Sequence, residues 1–142
     1  MNQGVYWVED VTTPENLDAK VSEHFRLREF KCEDNSRIVV LNGDLIAVLE
    51  KARRHFGGKA IIINSGYRTV AYNSALKNAS PKSQHTHGNA ADIVVDGVKP
   101  IDVYNYFNTT YPNAYGVGIY NTFVHIDVRS TKSRWDYRTK EK

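Results

Sequence analysis

The chain has 142 residues, of which 41% are hydrophobic and 25% charged, and its formal net charge is +3. This length and composition indicate a single soluble globular domain over residues 1–142, with a core of its own. No apolar run is long enough to cross a membrane and no signal peptide is visible, so we expect a protein without a membrane span that is cytoplasmic as made. The single cysteine, Cys32, excludes an internal disulfide and a thiolate cluster for a metal.

The first forty residues show the least regular pattern of the chain. Pro14 begins a predicted turn or helix start, and Phe25, Leu27 and Phe30 are expected to close one end of the core. Residues 42–56 then predict a helix, because apolar residues recur at the three-four spacing of a half-buried face. That face consists of Leu45, Ile46, Leu49, Ala52, Arg53 and Phe56. Asn42 or Asp44 can cap its start, and Gly57-Gly58 ends it.

The remainder of the chain predicts short strands that alternate with helices. The predicted strands cover residues 60–64, 92–95, 115–120 and 123–128, and the predicted helices cover residues 70–78 and 99–111. A polar loop is expected over residues 78–84. The last two strands are joined by a tight turn at Asn121-Thr122, which indicates a hairpin. This mixture favours an α+β fold over a doubly wound sheet.

Basic residues are concentrated at the end of the chain. From Arg129 to Lys142 there are six basic residues and two acidic ones. We interpret this segment as a solvated tail, with attraction to a polyanion such as a bacterial wall polymer as the alternative. No nucleic-acid partner is expected, because no recognised binding motif accompanies the charge.

Two histidines and one aspartate stand out as candidate metal ligands. His85 and Asp92 lie seven residues apart with Gly88 and other small residues between them, and His125 lies far downstream in the last predicted strand. Taken singly, each is better explained as a core histidine or a surface aspartate. Together they form an ordinary set of protein ligands for a catalytic zinc, with the fourth position left to water.

The alternation of the last predicted strand separates its two faces. Phe123, His125 and Asp127 point to one side, and the apolar Val124, Ile126 and Val128 point to the other. His125 and Asp127 are expected to lie roughly 7 Å apart along the backbone. That separation suits one metal ligand and one carboxylate that touches the water on the metal.

These residues form a pattern that resembles a known family. Ser83-x-His85-x-x-Gly88-x-Ala90-x-Asp92, followed by His125-x-Asp127, is similar to the signature of the zinc D-Ala-D-Ala carboxypeptidases. These LAS metallopeptidases share their fold with hedgehog signalling domains. Upstream, Ser65-Gly66-Tyr67-Arg68 matches a second element of the family, and the resemblance covers about residues 25–128. It implies a small antiparallel sheet packed with helices.

The resemblance also implies a set of roles. His85, Asp92 and His125 would bind one zinc ion, and Arg68 would hold the carbonyl or carboxylate of the substrate. The substrates would be peptides of bacterial cell walls, cut next to D-amino acids. Many relatives carry a general-base glutamate three residues before the last zinc ligand, where this chain has Thr122. Because the branch closest to this sequence has His-x-Asp instead, Asp127 is expected to be the base.

Five further residues each have more than one interpretation. Ser83 is either a hydrogen-bonding support for a ligand or a simple cap residue. Tyr67 lines the substrate groove or packs against the core. His87 is a second candidate for the base, or else a histidine that lines the groove or is exposed in the loop. Trp135, together with Tyr137, is expected to cover the core, with flanking of the cleft as the alternative.

Two classes of function follow. The first is a zinc peptidase of peptidoglycan, either a D,D-carboxypeptidase or an endopeptidase similar to a phage lysin that reaches the wall by export or another route. The second is a cell-wall-binding or interaction module that keeps its zinc and has lost turnover, an alternative that Thr122 leaves open. In both cases we expect a monomer with one zinc ion per chain.

Overall fold

The computed structural model describes residues 6–11, 13–34, 36–76 and 83–139. Its helices are α1 (Pro14–Asp18), α2 (Gly43–His55), α3 (Val70–Ala75) and α4 (Pro100–Thr110). Its strands are β1 (Tyr6–Asp10), β2 (Ile38–Asn42), β3 (Ile61–Ser65), β4 (Ala90–Val95), β5 (Gly116–Ile119), β6 (Val124–Asp127) and β7 (Ser133–Asp136). Short 3-10 turns occur at Leu27–Phe30 and Gln84–His87. The predicted α+β class is confirmed.

The strands form two sheets. β1 and β2 make a two-stranded antiparallel pair, and the other five strands lie in the order β3-β4-β6-β5-β7. Every neighbouring pair in the larger sheet is antiparallel except β5 and β7, which run parallel. The expectation of an antiparallel sheet therefore holds for β3 to β6 and is wrong for the edge strand β7.

Helix α2 forms where the sequence predicts it. The side chain of Asn42 caps the helix by accepting a hydrogen bond of 2.8 Å from the backbone N–H of Asp44. After Phe56 the chain leaves the helical conformation at Gly57, whose φ of 73° is favourable for glycine. The buried side of the helix carries Leu45, Ile46, Val48, Leu49 and Ala52.

The two faces of the five-stranded sheet have different neighbours. One face presents apolar side chains of β4, β5 and β6 to α2 and α4, and these form the core together with residues of both helices. That core includes Ile93, Val117, Ile126, Leu49 and Phe107, with Phe25, Leu27 and Phe30 buried at one end as predicted. Because successive side chains of a strand alternate, the residues between the apolar ones point to the opposite face.

The C-terminal segment differs from the solvated tail that the charge pattern predicts. Residues Ser133–Asp136 form β7 on the edge of the sheet. Arg134 donates from Nε to Asn108 and from its two Nη atoms to backbone carbonyls, which are those of Tyr111, Ala114, Tyr115 and Ser133. The tail prediction is wrong for this part of the chain, because internal carbonyl groups bind its arginine.

Helix α3 is shorter than the predicted residues 70–78. It ends at Ala75, and Leu76 is already extended, with φ of −78° and ψ of 135°. Most of the polar loop predicted for residues 78–84 lies outside the described residues. Among the described helices, none is both long enough and apolar enough to cross a membrane.

Candidate metal centre

The turn that carries His85 is fixed against the small sheet. Gly88 adopts φ of 72°, and a Cβ atom there would run into the backbone carbonyl of Val40. The backbone N–H of Asn42 donates to the Gly88 carbonyl at 2.9 Å, and the Asn42 amide donates to Asn89 at 3.0 Å. Only glycine permits both the left-handed conformation and this close approach. The turn therefore holds His85, which is 3% exposed, in one position.

His85 presents one defined nitrogen to the centre of the cluster. Its Nδ1 lies 2.7 Å from the backbone carbonyl of Gly66, so Nδ1 carries the proton and donates it there. The backbone N–H of Arg68 in turn donates to the His85 carbonyl at 3.0 Å. The other ring nitrogen, Nε2, lies 3.3 Å from Oδ1 of Asp92. That nitrogen is left to accept a metal ion.

Asp92 and His125 are cross-strand neighbours. They pair directly between β4 and β6, which places both side chains on the same face of the sheet. His125 Nδ1 lies 3.0 Å from the same Asp92 Oδ1 that faces His85. The carboxylate oxygen therefore stands between one nitrogen of each histidine.

The three side chains fit a zinc ion. One ligand atom from each of His85, Asp92 and His125 lies within 4.8 Å of the others, and among the described residues no other such group of three was found. Two imidazoles and one carboxylate match the donors that zinc takes in catalytic sites. Each histidine also holds its outer nitrogen in a hydrogen bond, which fixes the ring for coordination.

The outer nitrogen of His125 is held by a buried carboxylate. His125 Nε2 lies 2.7 Å from Oδ2 of Asp127, which is 0% exposed. Arg129 donates to both oxygens of Asp127, from Nε to Oδ1 at 2.8 Å and from Nη2 to Oδ2 at 2.7 Å. The backbone N–H of Gly116 adds a bond of 3.1 Å to Oδ1. Asp127 therefore contacts the side of the imidazole away from the nitrogen that faces Asp92.

Charges within the cluster control its protonation. Burial would raise the pKa of Asp92, but hydrogen bonds and charge interactions with His125 and His85 outweigh burial and hold that pKa well below its usual range. The pKa of Asp127 is likewise low, because hydrogen bonds from His125 and Arg129 outweigh its burial. For His125, burial lowers the pKa, but the two carboxylates raise it overall. Both acids are thus ionised at neutral pH, and a metal at His125 competes with a proton.

Arg68 borders the ligand cluster. Its Nη2 lies 3.4 Å from Oδ2 of Asp92, its Nε donates to Ser65 at 3.2 Å and its Nη1 donates to Asn73 at 3.3 Å. These contacts use three of the five N–H groups of a guanidinium. Arg68 also lines a cleft with Ser65, Tyr67 and other residues of neighbouring segments. The arginine thus lies between the candidate ligand Asp92 and this cleft.

The other predicted site residues lie at different depths. Tyr67 lines the same cleft as Arg68 and also packs against the core. Its place in a substrate groove stays a prediction. Ser83 precedes the 3-10 turn and accepts the backbone N–H of His85 at 3.2 Å, as a cap. His87 is exposed in that turn, and Thr122 is exposed in the connection between β5 and β6.

The expected separation of His125 and Asp127 does not hold for their side chains. Both residues point to one face of β6, as the alternation predicts, but the side chains lean together into a hydrogen bond of 2.7 Å. Backbone spacing alone does not give the direction in which a side chain leans along a strand. The role of Asp127 as general base stays a prediction, and its contacts are with His125, Arg129 and Gly116.

Two neighbours of the site were missed or misplaced by the sequence analysis. Arg129 was counted only as part of a basic tail, although it follows Asp127 by two residues and therefore lies on the same face. Trp135 was expected mainly to cover the core, but its ring centre lies 5.0 Å from that of His125. Its indole lies over Gly118, where a Cβ atom would run into Nε1. The alternating glycines Gly116 and Gly118 are the sequence signal for these close approaches.

An α+β domain with this His–Asp–His cluster and an adjacent arginine has the fold and donor set of a metallopeptidase. A profile of the Peptidase M15 family matches residues 23–127. The chain belongs to the Peptidase M15 family, whose members are zinc peptidases of the D-Ala-D-Ala carboxypeptidase type. The resemblance seen in the sequence motifs is thereby confirmed. No protein of curated function matches the chain.

Proposed function

We propose that this protein is a zinc-dependent peptidase that hydrolyses peptidoglycan stem peptides next to D-amino acids, as a D,D-carboxypeptidase or an endopeptidase. The observation that supports this most is the convergence of His85, Asp92 and His125, with the outer nitrogens of both histidines fixed, in a chain of the M15 family. One zinc ion per chain is expected.

The residues of the proposed site have two roles, to hold the metal and to hold the substrate. His85, Asp92 and His125 would hold zinc, which when bound lowers the pKa of a water molecule and polarises the peptide carbonyl. Arg68 keeps two N–H groups beyond its three contacts, and these can bind a carbonyl or carboxylate of the substrate. Because Arg68 also contacts Asp92, substrate binding and metal ligation share one side chain.

Asp127 has two candidate roles. As the predicted general base it would take a proton from water. Its contacts support a positioning role instead, because Oδ2 accepts the His125 Nε2–H and Arg129 bonds both oxygens. A histidine ligand that donates to a carboxylate is held in one tautomer and one orientation. We propose that Asp127 orients His125, and the two roles predict different effects on zinc affinity.

A binding module without turnover remains the second candidate. Thr122 stands where many relatives have the base, and it is exposed and carries no group that is basic at neutral pH. Asp127 is fully buried with its oxygens already bonded. A protein with a complete zinc site and no base would bind wall peptides without cutting them.

The test compares the native protein with His85→Ala and with His55→Ala as the matched control. His55 is an exposed histidine at the end of α2, the helix that covers the opposite face of the sheet. Zinc content is measured together with the release of fragments from purified peptidoglycan. We expect one zinc per chain and fragment release in the native protein and in His55→Ala, and the loss of both in His85→Ala.

The identity of the fragments separates the possible reactions. Release of terminal D-alanine indicates a carboxypeptidase, and release of shortened cross-linked peptides indicates an endopeptidase. Zinc at full occupancy with wall binding and no fragments would replace the peptidase with the binding module. A native protein that takes up no zinc would overturn both.

A further inference from the structure

A row of aromatic side chains lies beside the metal ligands on the same face of the sheet. Gly118 of β5 pairs directly with His125, and Tyr120 follows Gly118 by two residues. The backbone N–H of Tyr120 donates to the Phe123 carbonyl at 3.0 Å, so the pairing of β5 and β6 continues to this point. Tyr120 therefore projects from the face that carries His125 and Asp92.

Trp135 directs the hydroxyl of Tyr120 towards the site. The indole lies across Gly118, with its ring centre 5.0 Å from the ring centre of His125. Its Nε1–H donates to the Tyr120 hydroxyl at 3.0 Å. The hydroxyl oxygen is thus anchored to a ring that itself contacts a metal ligand, and it is not directed outward from the sheet edge.

The Tyr120 ring is held on both sides. It stacks on Phe123 with ring centres 4.3 Å apart and an angle of 11° between the planes. Tyr137 meets it edge-on at 5.6 Å. A donor whose ring is already fixed needs little reorganisation when charge develops beside it, which is the property of an effective catalytic donor.

The hydroxyl has one hydrogen that its contacts leave unused. In the bond with Trp135 the tyrosine oxygen is the acceptor, because an indole N–H can only donate. Among the described residues no acceptor for the tyrosine hydrogen was found. Burial raises the pKa of Tyr120, and the charge of Asp92 adds to the rise, so the hydrogen is present throughout the neutral range.

The position of Tyr120 complements that of Arg68. In the strand order, β6 with His125 lies between β4 on one side and β5 on the other. Arg68 contacts Asp92 on the β4 side, and Tyr120 belongs to the β5 side. A peptide carbonyl placed at the ligand cluster would thus have a donor available on each side.

From this geometry we propose that Tyr120 is a catalytic residue whose hydroxyl donates a hydrogen bond to the scissile carbonyl oxygen as it gains negative charge, and that Trp135 positions it. The inference rests on the proposed peptidase function and adds to it a donor that the motif residues do not include. Loss of one such donor typically lowers kcat by about 100-fold to 1000-fold.

The test is Tyr120→Phe, which removes the hydroxyl and keeps the ring. Its matched control is Tyr106→Phe on α4, at the opposite face of the sheet. With a stem peptide that ends in D-Ala-D-Ala, we expect Tyr120→Phe to lower kcat about 100-fold, with KM within about twofold and one zinc per chain retained. Trp135→Phe should lower kcat about tenfold, the effect of losing one anchoring hydrogen bond. Tyr106→Phe should match the native protein.

A binding measurement makes the test independent of turnover. A phosphinate analogue of the dipeptide imitates the tetrahedral transition state, so its affinity should fall in Tyr120→Phe about as much as kcat falls, and affinity for the cleaved peptide should stay nearly unchanged. Native kcat in Tyr120→Phe, or equal losses for phosphinate and product, would overturn the inference and leave the proposed function standing. A native protein with zinc and no hydrolysis would overturn the proposed function, and unchanged phosphinate affinity in Tyr120→Phe would then overturn the inference as well.

Discussion

The two faces of the five-stranded sheet show how neighbouring residues of one strand serve different purposes. In β6, Val124 and Ile126 point into the core on the side of α4, whereas His125 and Asp127 point to the face that carries the candidate metal site. All four are buried, with exposed fractions between 0% and 6%. Burial therefore does not distinguish the core from the site. The core and the site differ instead in what their side chains contact, since apolar contacts hold one face and charged hydrogen bonds hold the other.

The difference determines how each face responds to substitution. A core residue that becomes smaller leaves a cavity, and the loss appears as stability. A buried charge that loses its partner is left uncompensated, and at a metal site the loss appears mainly in metal affinity and activity. The following substitutions test this separation, beginning with the largest expected effect.

His125→Ala removes a proposed metal ligand and should abolish both zinc binding and peptide hydrolysis. We expect zinc binding to fall below one per chain and kcat/KM for stem-peptide hydrolysis to fall more than about 1000-fold, equivalent to about 4 kcal/mol of transition-state stabilisation. The chain should remain folded, because the adjacent core residues are unchanged. Zinc analysis and circular dichroism check both points, and full zinc occupancy in the variant would contradict the ligand assignment.

Ile126→Ala changes the next residue on the opposite face. Because Ile126 is 0% exposed in the core, we expect the free energy of unfolding to fall by about 2–5 kcal/mol. Hydrolysis per folded molecule should stay within about twofold of the native value. Denaturant titration of the metal-free protein, with activity measured well below the unfolding midpoint, gives both quantities. A large loss of activity without a loss of stability would show that the two faces are not separate.

Asp127→Asn separates positioning from general-base catalysis. If Asp127 orients His125, we expect zinc affinity to fall about 10–100-fold, measured by competition with a chelator. Asp136→Asn is the matched control, because Arg138 bonds Asp136 in the same two-pronged way on the exposed surface. The control should leave zinc affinity unchanged. A fall in kcat at unchanged zinc affinity in Asp127→Asn would instead establish the base.

Glu50→Gln tests how the free energy of unfolding depends on pH through a carboxylate on the helical side of the sheet. Glu50 of α2 is buried and accepts the backbone N–H of His24 at 2.8 Å, with its other oxygen 2.6 Å from the His24 ring. Burial raises the pKa of Glu50, but the hydrogen bonds and the charge of His24 lower it overall. A carboxyl whose pKa is lowered on folding stabilises the protein above its unfolded pKa and loses that contribution as the pH falls through its folded pKa.

The free energy of unfolding of Glu50→Gln should therefore be lower than native by about 1–2 kcal/mol at pH 7, and the difference should shrink as the pH falls below about 4. Urea titrations at several pH values measure it. Glu23→Gln is the control, since the Glu23 side chain is 80% exposed beside the same histidine. A difference that stays constant with pH would contradict the carboxylate assignment.

Features determined by neighbouring residues were predictable from the sequence. Helix α2 combines an apolar period with a cap at Asn42, and the ladder of β5 and β6 follows a short hairpin turn. Two of the proposed metal ligands were recognisable locally because His85 and Asp92 lie in one short motif, whereas His125 lies far downstream and was joined to them by the donor set and the family pattern. For the helix, the hairpin and the pair of His85 and Asp92, the signal lies within about ten residues of the feature.

Features that depend on distant partners were not predictable. β7 contains two charged residues in four and pairs in parallel with β5, so neither its composition nor a hairpin turn predicts this strand. The pair β1 and β2 joins segments some thirty residues apart along the chain. The same limit explains Asp127, whose face was predicted correctly and whose contacts with Arg129 and His125 were not.

The three proposed zinc ligands come from separate parts of the chain, namely the turn at His85, β4 and β6. A bound ion would act as a reversible cross-link between these parts, and the unfolded chain cannot form it. Folding and metal supply are then thermodynamically linked: free zinc at 100 times its Kd adds about 2.7 kcal/mol to the free energy of unfolding. In surroundings poor in zinc the same chain would melt at a lower temperature and be degraded sooner by proteases. Its lifetime would thus follow the local concentration of the ion.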